Sequence, residues 1–150
     1  MCELIIAKRN EIWLRKNGAV EYGQKHYPFM VLLHLLFIVS LIIEYRFNGT
    51  EKVNYSLLIL FLVLILVKVQ VINSLGKYWN TKIFRIHSVP LVRAGLYKYF
   101  KHPNYFIVVC EILVVPLIFN LYTTAIIFSF LNAIMLSIRI KEENRIINLF

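Results

Sequence analysis

The sequence predicts an all-α integral membrane protein with about four transmembrane helices, a short N-terminal helix and a cytoplasmic extension of the last helix. Of its 150 residues, 59% are hydrophobic and 15% are aromatic, and the mean hydropathy is +0.67. Soluble domains are only about 45–50% apolar, so this excess favours the membrane class. The apolar residues also gather in four runs of about 16–19 residues, near the lower limit for crossing a hydrocarbon core of about 30 Å. The runs cover residues 29–45, 55–73, 105–120 and 121–138.

The short link between the last two runs and a proline within the third predict how this part of the chain crosses the membrane. Only Asn120, Leu121 and Tyr122 join the third run to the fourth. The two runs are expected to form a helical hairpin, because a spanning backbone must satisfy its own hydrogen bonds. Pro116 lies within the third run and is expected to kink it. No repeat or low-complexity linker divides the chain, so we expect one membrane-embedded domain over residues 1–150.

The N-terminus predicts a short helix. Residues 4–7 resemble the last turns of a helix, and the basic pair Lys8 and Arg9 follows them. So few residues cannot cross a bilayer. Two interpretations stay open, namely a short interfacial helix or the end of a preceding N-terminal span that this chain lacks.

The distribution of charge predicts the orientation. The chain carries 17 Lys and Arg against 8 acidic residues, a formal net charge of +9. These charges lie between the apolar runs, which fits membrane topology and attraction to an anionic leaflet better than binding of nucleic acid. The segments before the first run, between the second and third, and after the fourth are rich in Lys and Arg, whereas the first loop is poor in them. By the positive-inside rule, both termini and the long middle segment are cytoplasmic.

Several kinds of site lack their sequence signals. Cys2 and Cys110 are far apart, which argues against a disulfide framework or a thiolate metal site. The four His residues show no metal-ligand spacing, so no metal is expected. The glycines form neither a GxGxxG motif nor a P-loop, so a Rossmann unit would not hold a nucleotide-type cofactor.

Two polar clusters lie beside the apolar runs, on the side predicted to be cytoplasmic. The first polar cluster is residues 95–105, GLYKYFKHPNY, and the second polar cluster is residues 139–145, RIKEENR. Pro103 predicts a helix start, because Pro is favoured at the first helical position. Free backbone N–H groups at such a start can bind an anion. The alternative is a simple helix start with interfacial aromatic anchors.

Charged residues in and near the apolar runs also admit two interpretations. Arg139 and Glu143 are four residues apart, so they share one face of a continued helix. Arg can hold a carboxylate or phenolate-like oxygen, and Glu can hold an ammonium or ribose hydroxyls. Alternatively, the two form a surface ion pair. Lys68 and Glu111 lie deep in apolar runs, where ionisable groups are costly; either they pair with each other, or Lys68 snorkels to the membrane interface.

Together, the two polar clusters resemble the signature of the isoprenylcysteine carboxyl methyltransferase family of integral membrane enzymes. That signature has a G-x-Y segment, an R-H-P-x-Y motif, a pair of spans, and an Arg followed by an E-E-x-x-L stretch. The resemblance covers nearly the whole chain and is strongest to the small bacterial branch, some of whose members O-methylate alkylpyrones. Lys101 replaces the usual Arg, and Asn144 replaces the second Glu. The matching residues are Gly95-Leu96-Tyr97, Lys101-His102-Pro103-Asn104-Tyr105, and Arg139 with Glu143-Asn144-Arg145-Ile146-Ile147.

The resemblance implies an S-adenosylmethionine-dependent O-methyltransferase in a bacterial cell membrane. The cofactor would bind on the cytoplasmic side, and a lipid-like acceptor would enter from the bilayer. A carboxylate or hydroxyl oxygen of a prenylcysteine-like or alkylpyrone-like acceptor would receive the methyl group, with Arg139 orienting that oxygen. The cofactor-binding residues that the resemblance implies are Val89, Pro90, Leu91, Val92, Tyr97, His102, Pro103, Asn104, Tyr105 and Glu143.

Two other functions stay open at this point. A related membrane enzyme, such as a phospholipid N-methyltransferase or a sterol-reductase-like protein, would have similar spans. A non-catalytic four-span membrane protein would have them as well. The oligomeric state is left open.

Overall fold

A computed structural model describes residues 2–48, 52–87, 89–90 and 92–148, leaving out the side chain of Cys2. Its helices are α1 (Cys2–Lys16), α2 (Tyr27–Asn48), α3 (Tyr55–Leu75), α4 (Pro103–Ile118) and α5 (Tyr122–Ile147). Two short strands, β1 (Val20–Tyr22) and β2 (Ile83–Arg85), and two 3-10 turns, Gly76–Tyr78 and Gly95–Lys98, lie between the helices.

Three of the helices are long and apolar enough to cross a membrane. α2 has 22 residues, α3 with the turn after it has 24, and α5 has 26; the mean hydropathy of an 18-residue stretch within each is 2.1, 2.6 and 1.7. α4 is apolar too but has 16 residues, or about 24 Å at a rise of 1.5 Å per residue. The prediction of an all-α membrane protein is confirmed, and α4 is the short member of the four predicted spans.

α4 lies in the interior of the bundle. It packs against α3 on one side and α5 on the other, and α5 also contacts α2. Ile112 packs with Phe37 and Phe128, and Val114 packs with Leu64. Ile107, Ile112 and Val114 of α4 are buried by these contacts, whereas Phe106, Val109 and Leu113 leave one face of the helix exposed.

α2 and α3 present apolar surfaces that no other part of the described chain covers. Only 6% of the α2 span and 11% of the α3 span are buried, against 28% in α5. Phe29 and Leu66, for example, are 65% and 69% exposed. Because water would penalise so much exposed apolar surface, these faces contact the hydrocarbon of the bilayer.

The predicted short N-terminal helix is present as α1, and it is docked on protein. The side chain of Asn10 donates to the carbonyl oxygens of Gly76, at 3.0 Å, and Trp79, at 2.7 Å. In return, Asn80 Nδ2 donates to the carbonyl oxygen of Ala7 at 2.8 Å. These amide bonds attach α1 to the segment that follows α3.

A two-stranded antiparallel sheet, which the sequence did not predict, strengthens this attachment. β1 pairs with β2 so that Val20 lies opposite Arg85. Beside the sheet, Lys82 Nζ lies 3.1 Å from Glu11 Oε1. Burial alone would raise the pKa of Glu11, but hydrogen bonds from Arg15 and Lys82 hold it below its usual value. Glu11 therefore stays charged and keeps α1 attached to the middle segment.

The predicted hairpin of α4 and α5 is closed by specific hydrogen bonds. Pro116 lies in the last turn of α4 rather than at its middle, and its carbonyl oxygen accepts from the backbone N–H of Leu121 at 2.9 Å. The carboxylate of Glu44, on α2, accepts from the backbone N–H groups of Thr123, at 3.0 Å, and Thr124, at 2.7 Å. A carboxylate at a helix N-terminus is favourable, so α2 caps α5.

Lys68 and Glu111 pair with each other inside the bundle, which decides between the two interpretations of these residues. Lys68 Nζ lies 2.8 Å from Glu111 Oε2 and 2.9 Å from Glu3 Oε1. The side chains of Lys68 and Glu111 are only 13% and 18% exposed. The ion pair joins α3 to α4, and Glu3 adds α1.

Substituting one residue of this ion pair should destabilise the bundle more than substituting both. Lys68→Met leaves Glu111 charged and without its partner, so we expect the free energy of unfolding to fall by roughly 3 kcal/mol. The double variant Lys68→Met/Glu111→Leu removes both charges and should recover most of that loss. Thermal unfolding in detergent compares the three proteins. Equal losses in the single and double variants would contradict a compensating pair.

Candidate functional site

The two predicted polar clusters meet around one cavity of about 550 Å³. The cavity lies at the end of the bundle where α3 ends and α4 begins. Of the residues named from the sequence, Leu91 lies outside the described residues, and Pro103 is buried at the first position of α4 without lining the cavity. The others line it: Val89, Pro90, Val92, Tyr97, His102, Asn104, Tyr105, Arg139 and Glu143.

The local sequence explains how the first polar cluster reaches the cavity. Gly95 has φ 55°, and a Cβ atom there would collide with the side chain of Ser74 on α3. Glycine therefore lets the following 3-10 turn pack on α3, with Tyr97 in the cavity wall. Pro103 then begins α4, because its fixed φ suits the first helical position and its missing N–H is not needed there.

The hydroxyl of Tyr105 joins the two residues of the second polar cluster that face the cavity. It donates to Glu143 Oε2 at 2.6 Å and accepts from Arg139 Nε at 2.9 Å. Arg139 Nη2 donates to the carbonyl oxygen of Thr81, and Nη1 contacts the sulfur of Met30. Arg139 is thus held by α4, by α2 and by the segment before β2.

His102 completes the connection between the start of α4 and the end of α5. Its Nδ1 lies 3.6 Å from Glu143 Oε2, and its Nε2 lies 3.4 Å from Asn144 Oδ1. Its ring stacks on that of Tyr105, with the centroids 5.3 Å apart and the planes at 19°. The continuation of α5 past its apolar part, as predicted, is what lets Glu143 and Asn144 reach this position.

The cavity is strongly cationic. Among the described residues that line it, Glu143 is the single acidic one. Burial raises the pKa of Tyr97, and the negative charge of Glu143 adds to the effect. The Tyr97 phenol therefore stays protonated at neutral pH and does not act as a base. The cationic residues in the wall are Lys82, Arg85, Arg93, Lys98, Lys101 and Arg139.

Sequence reasoning missed the part of the cavity wall that comes from β2 and the residues beside it. Lys82 and Arg85 line the cavity, and Thr81 and Met30 hold Arg139. Lys82 and Arg85 were interpreted as topology signals only. One signal was available, since residues 52–110 contain no acidic residue at all, which exceeds what orientation in the membrane requires.

Comparison with known proteins gives the family. The sequence model of the isoprenylcysteine carboxyl methyltransferase (ICMT) family matches residues 57–149. The uncharacterized protein YpbQ of Bacillus subtilis (strain 168) is 41% identical over 145 residues, which cover 95% of this chain and 86% of that protein. An uncharacterized protein of Haemophilus influenzae is 30% identical over 146 residues, 93% of this chain and 83% of that protein. No solved structure matches the chain.

The family match spans α3, α4 and α5. It therefore includes both polar clusters and most of the cavity wall. The chain belongs to the isoprenylcysteine carboxyl methyltransferase family of membrane methyltransferases.

Proposed function

We propose that this protein is an S-adenosylmethionine-dependent O-methyltransferase that methylates a carboxylate or hydroxyl oxygen of a lipid-like acceptor. The observation that carries the proposal is the Tyr105 hydroxyl, which holds Arg139 and Glu143 beside one cavity. A guanidinium suited to an oxygen anion thus lies next to a carboxylate suited to a cationic or hydroxyl-bearing ligand.

The residues of the cavity fit S-adenosylmethionine. A volume of about 550 Å³ lies within the range of about 300–1,000 Å³ usual for small-molecule sites. Glu143 offers an acceptor for an ammonium or ribose hydroxyl, and the ring of Tyr97 offers an aromatic face for a cation. Asn104 Oδ1 is buried without a hydrogen-bond partner among the described residues. An unpaired buried acceptor is costly, and a donor on the cofactor would satisfy it.

Arg139 retains hydrogen-bonding capacity for the acceptor oxygen. A guanidinium has five N–H donors, and three of them are used by Tyr105, Thr81 and the sulfur of Met30. The other two can hold a carboxylate or enolate oxygen. Bound S-adenosylmethionine would supply an electrophilic methyl group on a sulfonium. Arg139 then serves to align the ionised oxygen with that methyl group while the cavity excludes water.

The position of Arg139 also supports entry of the acceptor from the bilayer. Arg139 lines the main cavity and, in addition, a small cavity of about 20 Å³ next to Tyr27 of α2 and Met135 of α5. The small cavity is also lined by residues of β1 and by Lys82 and Glu142, so it has a polar wall. A lipid tail would lie along the exposed apolar faces of α2 and α5, with its polar end at Arg139.

The charge pattern supports a cytoplasmic site. The part of the chain between α3 and α4 carries six cationic residues and no acidic residue. By the positive-inside rule, this part and both termini lie in the cytoplasm, where S-adenosylmethionine is made. Because both relatives named above come from bacteria, we place the protein in a bacterial cell membrane.

Glu143 should be required for cofactor binding. We expect Glu143→Gln to weaken binding of S-adenosylhomocysteine by about tenfold, the cost of losing one charge-assisted hydrogen bond. Binding is measured by the ligand-induced thermal shift in detergent. Glu142→Gln is the matched control, because Glu142 pairs with Arg145 instead and does not line the main cavity. If both variants bind like the original protein, Glu143 does not contact the cofactor.

Arg139 should be required for turnover but not for cofactor binding. We expect Arg139→Gln to lower methyl transfer by about 100-fold, the usual cost of losing a preorganised donor to a developing charge. The assay follows radiolabelled methyl groups from S-adenosylmethionine into a bacterial lipid extract. Lys141→Gln, which removes an exposed cation two residues away, is the control. Product analysis separates O-methylation from N-methylation, and an N-methylated product would refute the proposed acceptor.

Tyr105 should act through the residues that it positions. Tyr105→Phe keeps the ring that stacks on His102 but removes the hydroxyl between Arg139 and Glu143. The two charges are then free to form a direct ion pair that occupies the guanidinium. We expect methyl transfer to fall by about tenfold, since one hydrogen bond to each charge is lost. The unfolding temperature should change little. Activity equal to that of the original protein would show that the bridge has no role in turnover.

A further inference from the structure

Arg85 is a charged residue in the wall of the main cavity, and no described residue pairs with it. It is the last residue of β2 and lines the cavity beside Phe84 and Ile86. Its Nε is buried, and no hydrogen-bond partner for it exists among the described residues. A guanidinium stays charged at any physiological pH, and a buried donor without an acceptor costs free energy.

The described carboxylates of this chain are all engaged elsewhere. The chain has no Asp, so each one is a Glu. Lys68 pairs with Glu3 and Glu111, and Arg15 and Lys82 pair with Glu11 and Glu21. Glu44 caps α5, Glu142 pairs with Arg145, and Glu143 accepts a hydrogen bond from Tyr105. The anion that Arg85 lacks must therefore come from outside the described chain.

We infer that Arg85 binds the carboxylate of a ligand in the main cavity. The inference rests on the proposed function, which supplies two sources of this group. One is the α-amino-acid end of S-adenosylmethionine, and the other is a carboxylate on the lipid-like acceptor. The planar fork of Arg matches a carboxylate with two parallel hydrogen bonds.

A second unpaired atom in the same cavity favours the cofactor as the source. Asn104 Oδ1 is a buried acceptor without a partner, just as Arg85 Nε is a buried donor without one. An α-amino acid carries a carboxylate that needs donors and an ammonium that needs acceptors. A ligand of that class carries one group suited to each atom.

Two adenosine ligands test the cofactor as the source. S-adenosylhomocysteine has the amino-acid end, and 5′-methylthioadenosine lacks it. We expect Arg85→Gln to weaken binding of S-adenosylhomocysteine by about 20-fold, the loss of a charge-assisted pair of hydrogen bonds. Binding of 5′-methylthioadenosine should change less than about twofold, which also shows that the variant is folded. Isothermal titration in detergent measures both.

Two further variants separate a specific bond from the general positive field. Arg93→Gln removes another cation from the same cavity wall, but this residue is exposed. It should weaken binding of S-adenosylhomocysteine by no more than about threefold, as expected for a solvated charge. Arg85→Lys keeps the charge and loses the fork, so its affinity should lie between those of the original protein and Arg85→Gln. An equal loss in Arg85→Gln and Arg93→Gln would overturn the inference.

A fatty acid tests the acceptor as the source. Oleate has a carboxylate and oleyl alcohol does not, and both are offered in lipid nanodiscs. If the acceptor supplies the group, oleate raises the unfolding temperature of the original protein but not of Arg85→Gln, and oleyl alcohol has no such effect. An Arg85→Gln protein that matches the original protein with both S-adenosylhomocysteine and oleate overturns the inference. Failure of the original protein to bind S-adenosylhomocysteine would instead refute the proposed function and leave the oleate comparison to decide the role of Arg85.

Discussion

The candidate site depends on the hydroxyl group of Tyr105. This group accepts a hydrogen bond from Arg139 and donates one to Glu143. It therefore keeps a cation and a carboxylate close together without allowing them to neutralise each other in a direct pair. Because the bridge is partly buried, its hydrogen bonds are stronger than they would be in water. The guanidinium and the carboxylate thus stay aimed at the cavity, where each can serve a different ligand.

The bridge through Tyr105 forms only if the neighbouring helices begin and end at particular residues. α4 must begin at Pro103 so that Tyr105 lies in its first turn, and α5 must continue well past its apolar part to carry Glu143. Part of the wall comes from Leu14 of α1 and from β2, which is paired with β1. Asn10 attaches α1 to the segment that follows α3. Thr81, in the same segment, accepts from Arg139. The N-terminal part of the chain therefore shapes the site even though it carries none of the residues that the sequence singled out.

The sequence predicted the parts of this structure that depend on local pattern. Apolar runs of spanning length predicted the long helices, and the four-residue spacing of Arg139 and Glu143 predicted their shared face. The pairing of β1 with β2 could not be predicted, because three-residue strands have no pattern of their own and tertiary contacts decide their register. For the same reason Lys82 was taken for a topology signal, although its partner Glu11 lies 71 residues away. Arg85, carried into the wall by that sheet, could not be placed at all.

The charge of the cavity wall favours an oxygen acceptor over a nitrogen acceptor. Six cationic residues and one acidic residue line the cavity within the described chain, and Lys82 among them is paired with Glu11. A positive field stabilises anions, so it lowers the pKa of an acidic acceptor and lets the oxygen arrive ionised. An ionised oxygen needs no catalytic base, which agrees with Tyr97 staying protonated. An amine acceptor would instead gain positive charge as the new bond formed, against the same field. The charge of the wall therefore supports the oxygen acceptor of the proposed function.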